Sequence, residues 1–330
     1  MKKRTFLGID VSKAKLDACI YGKGTKEVFD NNSKGLKKMI IWLERNLEDL
    51  QDLVICFEHT GMYDLPLQLF CEDKGLHYTK VSGLQVKRSL GIQRGKNDQI
   101  DAFRLAEYAF LHKDKLRMTT LGSKQLVRLK YLLSYRSRLA RNRASFKTSM
   151  EQSKEYLGLC NSDVLIKNQQ KMIRVYTKQI QEIENEIIQQ IDQHHKIKHQ
   201  YQLATSVKGI GMITAAYMIV YTNCFEDFDN ARKFACYVGS APFEHSSGTS
   251  IHGQTRISHY ANKTIKALLT NAALAAINHD PEIRQYFKKK IDEGKHKKIV
   301  INNVRNKLIG RVFATITRGT PYVSIAQYAA

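Results

Sequence analysis

From Thr5 to about Lys80 the apolar positions fall in short runs broken by Gly, Asn and Asp, a pattern that predicts strands joined by turns and helices. Thr5 to Ile9, Leu16 to Tyr21, Glu27 to Phe29, Leu53 to Phe57 and Tyr78 to Val81 carry the strand signal. Leu36, Met39, Ile40 and Leu43 repeat at helical spacing, and Leu65, Leu67, Leu69 and Phe70 do so less cleanly. Three strands precede the first helix, and an α/β domain is expected over residues 1–120.

After Gly122 glycine and proline nearly vanish until Gly158, and Arg128, Lys130, Arg136, Arg138, Arg141, Arg143 and Lys147 crowd one helical stretch. A second helix is expected from about Asp163. There Ile166, Ile173, Ile180 and Ile187 recur every seventh position with Tyr176 and Ile183 on the alternate seam, the spacing of a coiled-coil hairpin, a dimerising helix or a helix packed within its own subunit. Residues 121–200 are thus expected to form a helical coiled-coil connector. Beyond Gln200 glycines return with a fresh helical pattern, and residues 201–330 are expected to form a mainly α-helical domain.

Charge narrows the partners. The 330 residues hold 53 Lys and Arg against 31 Asp and Glu, a formal charge of +22, which favours a polyanionic neighbour and points to nucleic acid. The six cysteines show no metal-ligand spacing, so a reducing compartment without zinc is expected. No apolar stretch is long enough to span a bilayer and Asp10 interrupts any signal-like core; a cytoplasmic protein with no membrane association is expected.

Candidate chemistry lies in acidic residues at element ends. Asp10 closes the first strand and Glu58 the run Val54-Ile55-Cys56-Phe57, while Asp98 and Asp101 sit three apart at the start of a helix carrying Leu105, Ala106 and Ala109. Singly, each has a plain structural reading as a turn, a solvated strand end or a helix cap. Together, an acid after strand one, an acid after a later apolar strand and an acid pair on a following helix are the order that a ribonuclease-H-like nuclease requires. Clustered carboxylates suit Mg²⁺, or Mn²⁺, as hard oxygen ligands for phosphoryl transfer. Sugar kinases of the same broad fold also open with a motif like Gly8-Ile9-Asp10-Val11-Ser12-Lys13, but the further glycine-rich phosphate loops they need are missing.

Ser206-Val207-Lys208-Gly209-Ile210-Gly211 joins two apolar helices through a glycine turn of the helix-hairpin-helix kind, which offers backbone N–H groups to phosphate. Further on, Glu244-His245-Ser246-Ser247-Gly248 places serines before a glycine in a polar loop, where a hydroxyl can act as nucleophile given a base or a metal.

Jointly these segments resemble the DEDD-type insertion-sequence transposases, the insertion-sequence one-hundred-ten family, whose members include the Piv pilin-gene invertase. The resemblance runs over nearly the whole chain: Gly8 to Lys13 with Leu16-Asp17, Glu58-His59-Thr60-Gly61-Met62-Tyr63, Lys96 to Ala102, Gly209 to Gly211 with Thr214-Ala215, and Gly239 to Gly248. It implies a RuvC-like N-terminal domain whose metal ligands are Asp10, Glu58, Asp98 and Asp101, a coiled coil that assembles a dimer or tetramer, and a C-terminal transposase domain. It also implies Ser247 as the nucleophile, with Ser246 its near rival, in a phosphoserine intermediate formed where one subunit's acids meet another's serine. The expected partners are double-stranded DNA at element ends and target, and a noncoding guide RNA that bridges them. Asn97 stands where Thr is usual, Ser240 where Leu is usual, and His259-Tyr260-Ala261 where Lys and Gly are usual. Two rival functions remain: a metal-only nuclease of the Holliday-junction type, in which water attacks, and a basic nucleic-acid-binding scaffold without chemistry.

Overall fold

The computed structural model describes residues 4–91, 97–247, 251–258 and 260–323, with 245–247, 251, 252 and 254 described by main chain alone. The chain divides into two units, Met1–Leu121 and Gly122–Ala330.

Unit 1 is built on a five-stranded sheet of order β3-β2-β1-β4-β5, with β1 Thr5–Val11, β2 Lys15–Ile20, β3 Lys26–Asp30, β4 Leu53–Glu58 and β5 His77–Val81. The first three strands form an antiparallel meander, and β4 and β5 add parallel to β1 through the crossover helices α1 (Ser33–Asn46) and α2 (Leu65–Lys74). All five strands lie where the apolar runs predict them. Two further helices follow, α3 (Gly83–Ser89) and α4 (Asp98–Leu111), of which the hydrophobic pattern predicts only the second.

Strand alternation separates two cores. Leu7, Ile9, Leu53, Ile55 and Phe57 face α1 and α2, where they meet Leu36, Met39 and Leu43. Phe6, Val54 and Cys56 face the other side and pack with Val86 of α3 and Leu105 and Ala109 of α4. By the same period of two, Gly8 and Asp10 of β1 and Glu58 of β4 belong to the face that α4 covers.

That covering is unusually close because Gly8 has no side chain: a Cβ built there would lie 2.0 Å from the Ala102 carbonyl oxygen and 2.4 Å from the Ala106 nitrogen. The buried stripe of α4, Ala102, Leu105, Ala106 and Ala109, supplies the matching small residues. Asn97 caps the helix, its side-chain oxygen accepting from the Ile100 N–H at 2.7 Å, which is the service a Thr there would render.

Among the described residues, the regular elements of unit 2 are helices apart from one hairpin. Helices α5 (Lys124–Leu157) and α6 (Val164–Asp192) run antiparallel, linked by the Arg136–Glu184 ion pair at 2.7 Å and by Gln169 donating to Ser149 at 3.1 Å. The heptad positions Ile166, Ile180 and Ile187 are buried along this pairing. At its base Leu126, Leu129, Leu132 and Leu133 of α5 and Ile187 and Ile191 of α6 enter one core with α7 (His195–Thr205), α8 (Met212–Tyr221), α9 (Ala231–Val238), α10 (Lys263–His279), α11 (Pro281–Asp292) and α12 (Lys297–Arg318). Apart from Leu121, which ends unit 1, residues 121–200 and 201–330 therefore fall within one unit. None of the described helices is long and apolar enough to cross a membrane.

Substituting Gly8→Ala forces the α4 backbone off β1, and overpacking of this kind costs roughly 1–3 kcal/mol or more. Trp42, the chain's single tryptophan, lies in α1 of the same unit. Its fluorescence during urea unfolding should report a lower midpoint for the variant; an unchanged midpoint would show that α4 sits on the sheet without needing the glycine.

Candidate active site

The α4 face of the sheet gathers the four predicted acids. Asp10 near the end of β1, Glu58 at the end of β4, and Asp98 and Asp101 in the first turn of α4 line one cleft of about 560 Å³, together with Lys87, Arg104 and Gly83. Local structure explains each placement. Glu58 is the last residue of β4, opposite Val81, and its carboxylate rests on Gly83, where a Cβ would come within 2.3 Å of Oε1. Gly83 thus shapes the seat of Glu58, a contact no sequence pattern announced.

Behind Glu58, the fully buried Asp64 holds the segment from His59 to Tyr63. Its carboxylate accepts from the Thr60 N–H at 3.0 Å and from Gln68 at 2.6 Å, and pairs with Lys80 at 2.9 Å. A buried charge is tolerated only when paired and hydrogen-bonded in this way.

Among the described residues lining the cleft, four carboxylates face two cations, Lys87 and Arg104. The Asp10 carboxyl is pushed up to about 6, first by burial and then by the negative charges of Asp98, Asp101, Asp17 and Glu58. Arg104 pairs with Asp101 at 2.9 Å. Asp17, a residue without an assigned role in the sequence reading, lies directly across the β1–β2 ladder from Asp10, is buried, and is also raised, first by burial and then by Asp98. The antiparallel register that creates this fifth carboxylate follows from the β1–β2 turn, and its signal in the sequence was the alternation Leu16, Asp17, Ala18 within a strand.

Hard oxygen donors carrying uncompensated charge are the donor set that a divalent cation of the Mg²⁺ type takes. Among the described residues, however, no trio of acid, histidine or cysteine side chains is drawn close enough to hold an ion.

The serine segment belongs to unit 2. There β6 (Pro242–Ser247) and β7 (Ile251–Ile257) form an antiparallel hairpin in which Ser246 pairs with His252 and Ser247, the last residue of β6, with Ile251. The side chains of Ser246 and Ser247, and Lys96, Gly248 and His259 entirely, lie outside the described residues. The hairpin springs from the left-handed Gly239 at the end of α9. Ser240 is fully buried with its hydroxyl donating to Asn306 at 2.7 Å, so a polar residue fits where an apolar one was expected.

The glycine turn between α7 and α8 also has a steric origin. Gly209, at φ +95°, packs where a Cβ would meet the Ala272 carbonyl at 2.7 Å, and Gly211 is the N-cap of α8.

With this geometry in view, two family models match the chain. That of the DEDD transposases of IS110 type, described as a transposase, covers residues 7–153, and that of the transposase IS116/IS110/IS902 family covers residues 201–288. The chain is similar to the pilin gene-inverting protein of Moraxella bovis, 28% identical over 328 residues, which span 97% of this chain and 98% of that one. Its similarity to the pilin gene-inverting protein of Moraxella lacunata is 27% over the same shares. An uncharacterized 43.6 kDa protein of insertion element IS110 from Streptomyces coelicolor is 34% identical over 120 residues, 36% of this chain and 29% of that one.

The raised Asp10 carboxyl makes a signed prediction. Above pH 6 the folded, metal-free protein bears an unfavourable ionised Asp10; the penalty fades as pH falls through about 6 and vanishes near the ordinary value of 3.8. Asp10→Asn should therefore melt higher than wild type in chelator at neutral pH, with the difference closing on acidification. A divalent cation should raise the melting temperature of wild type more than that of the variant. A variant that melts lower at neutral pH would contradict the repulsion.

Proposed function

Because this chain belongs to the IS116/IS110/IS902 family of transposases, we propose that it excises and integrates an insertion sequence by strand cleavage and rejoining through a phosphoserine intermediate. As a member it is a DNA-rearranging enzyme that binds DNA, and its DEDD domain implies dependence on a divalent metal. The observation that carries the proposal is the single cleft lined by Asp10, Glu58, Asp98 and Asp101.

In this reading those four carboxylates would hold Mg²⁺, which would supply stabilisation of negative charge during phosphoryl transfer. Asp17 sets the local charge, Gly83 and the Asp64–Lys80 pair orient Glu58, and the Ser247 hydroxyl attacks phosphorus. An Oγ–P bond forms, the P–O bond to the leaving sugar breaks, and the hydroxyl proton ends on the released sugar oxygen. Attack by a sugar hydroxyl on the phosphoserine reverses the bookkeeping and reseals the strand. The chemistry requires the carboxylates of unit 1 and a hydroxyl of unit 2, from one chain or from two copies.

Assembly through the α5–α6 hairpin is part of the same reading, supported by the exposed Tyr156, Leu157 and Val164 at its far end. So is a guide RNA. Of the basic run on α5, Arg128 and Arg136 are engaged by Glu186 and Glu184, which leaves Arg138, Arg141 and Lys147 exposed to meet a phosphate backbone. Arg138 lies over the exposed Tyr135 ring at 5.0 Å, a pairing suited to nucleic-acid contact.

The metal-only nuclease has one observation in its favour, since the acidic cleft lies wholly within unit 1. Ser247→Ala separates the two. In an assay on a plasmid carrying the element, cleavage and the covalent protein–DNA adduct should both fall by about 10³-fold or more, while Ser246→Ala keeps them. Cleavage that survives Ser247→Ala would establish the water-attack reading. Asp101→Asn should bind DNA and fail to cleave; cleavage at the wild-type rate would remove Asp101 from the catalytic set, and a wild-type protein that binds DNA without cleaving it would leave only the scaffold.

A further inference from the structure

At the foot of the serine hairpin two cationic side chains are held around one residue pair, with no acidic partner among the described residues. Lys266 of α10 donates to the Gly239 carbonyl at 2.8 Å. The next carbonyl, that of Ser240, accepts from Asn302 at 2.9 Å and from Asn306 at 3.0 Å, both on α12. Asn302 in turn accepts from Arg305 Nη1 at 3.0 Å. One residue pair, Gly239–Ser240, thus fixes both cationic side chains from adjacent helices.

Neither has an acidic partner among the described residues. Elsewhere in unit 2, partly buried Arg136 pairs with Glu184, and Arg311 with Asp280 and Glu282. Here, by contrast, the Arg305 Nε is buried and has no hydrogen-bond acceptor. Burial lowers both groups from their ordinary values, and for Lys266 the positive charge of Arg305 adds to it. A half-buried pair of like charges with an unmet donor is held against its own repulsion, and an anion is what would relieve it.

We propose that Lys266 and Arg305 form a binding site for a backbone phosphodiester of the DNA strand on which the enzyme acts. Two positive groups and a planar guanidinium edge match phosphate oxygens. Lys266 and Arg305 are both partly exposed, so the site is open to solvent. Six residues of largely extended chain separate Ser240 from Ser247, roughly 20 Å at the strand rise, so this contact grips the strand away from the reacting phosphate and acts in binding. The site rests on the nucleic-acid reading of unit 2 and not on Ser247 being the nucleophile.

Equilibrium binding of the full-length protein to a short DNA duplex of arbitrary sequence, and to an RNA duplex of equal length, tests it across a salt series. Arg305→Gln and Lys266→Gln should each flatten the slope of log Kd against log salt on DNA by about 0.9, the counterion equivalent of one phosphate. Arg305→Lys and Lys266→Arg should keep the slope. Relief of repulsion should leave the melting temperature of free Arg305→Gln at or above that of wild type. Flattening on the RNA duplex alone overturns the assignment to the DNA strand and makes the site one for RNA phosphodiesters. An unchanged slope on both duplexes overturns the proposal, as does an Arg305→Gln protein that melts lower with its slope intact or is too unstable to bind, because those outcomes mark a structural arginine. Ser247→Ala should leave the slope unchanged whether or not it abolishes cleavage, so failure of the serine chemistry and failure of this site are told apart.

Discussion

The close approach of α4 to β1 over Gly8 is the constraint on which the acidic cleft depends. A helix resting on a sheet through ordinary side chains stands about 10 Å off it; here the absent Cβ at Gly8 and the alanines at 102 and 106 bring backbone against backbone. Asp10 follows Gly8 by one strand period, and Asp98 and Asp101 begin the helix that Gly8 admits. A single steric vacancy therefore sets the distance between the acids of the strands and those of the helix. Gly83 does the same for Glu58 from the opposite side.

The arrangement stores electrostatic cost. Four acids and Asp17 share one face of the sheet, the Asp10 carboxyl rises accordingly, and Arg104 on Asp101 is the ion pair formed within the cleft. The surrounding scaffold is in turn heavily braced. Asp64, buried against Lys80, anchors the residues after Glu58 with an interaction whose disruption would cost roughly 3–5 kcal/mol. Stability gained in such well-paired positions offsets the repulsion tolerated in the cleft, repulsion that the divalent cation proposed above would relieve.

Unit 2 solves a different problem, the support of a long helical hairpin and a short β-hairpin on one core. Leucines of α5 and isoleucines of α6 are rooted among α7 to α12. At the far side of that core Asp280, almost fully buried, caps α11 and binds Arg311, which also reaches Glu282 and lies over Tyr322 at 4.7 Å. The Arg311 charge is thus met by two carboxylates. That contrast gives the unmatched Lys266 and Arg305 their meaning.

The five strands, helices α1, α4, α5 and α6 and the convergence of Asp10, Glu58, Asp98 and Asp101 were all legible along the chain, because periods of two and of 3.6 are local and an acid at an element's end stays at that end in three dimensions. Helix α3 was not, since seven residues with one buried apolar position, Val86, carry too little periodicity to register. The roles of Asp17, Asp64, Lys80 and Gly83 were hidden for another reason: each depends on a partner distant in sequence. The heptad isoleucines fixed a packing seam but not its partner, because the same stripe serves a second helix of the same chain or of another; the fold supplies α5. Sequence alone thus determined which elements form and which carboxylates end them. Only tertiary structure decided how near α4 lies to β1, which strands are neighbours, and which charges meet, because these distances arise from packing between segments whose sequences hold no record of one another.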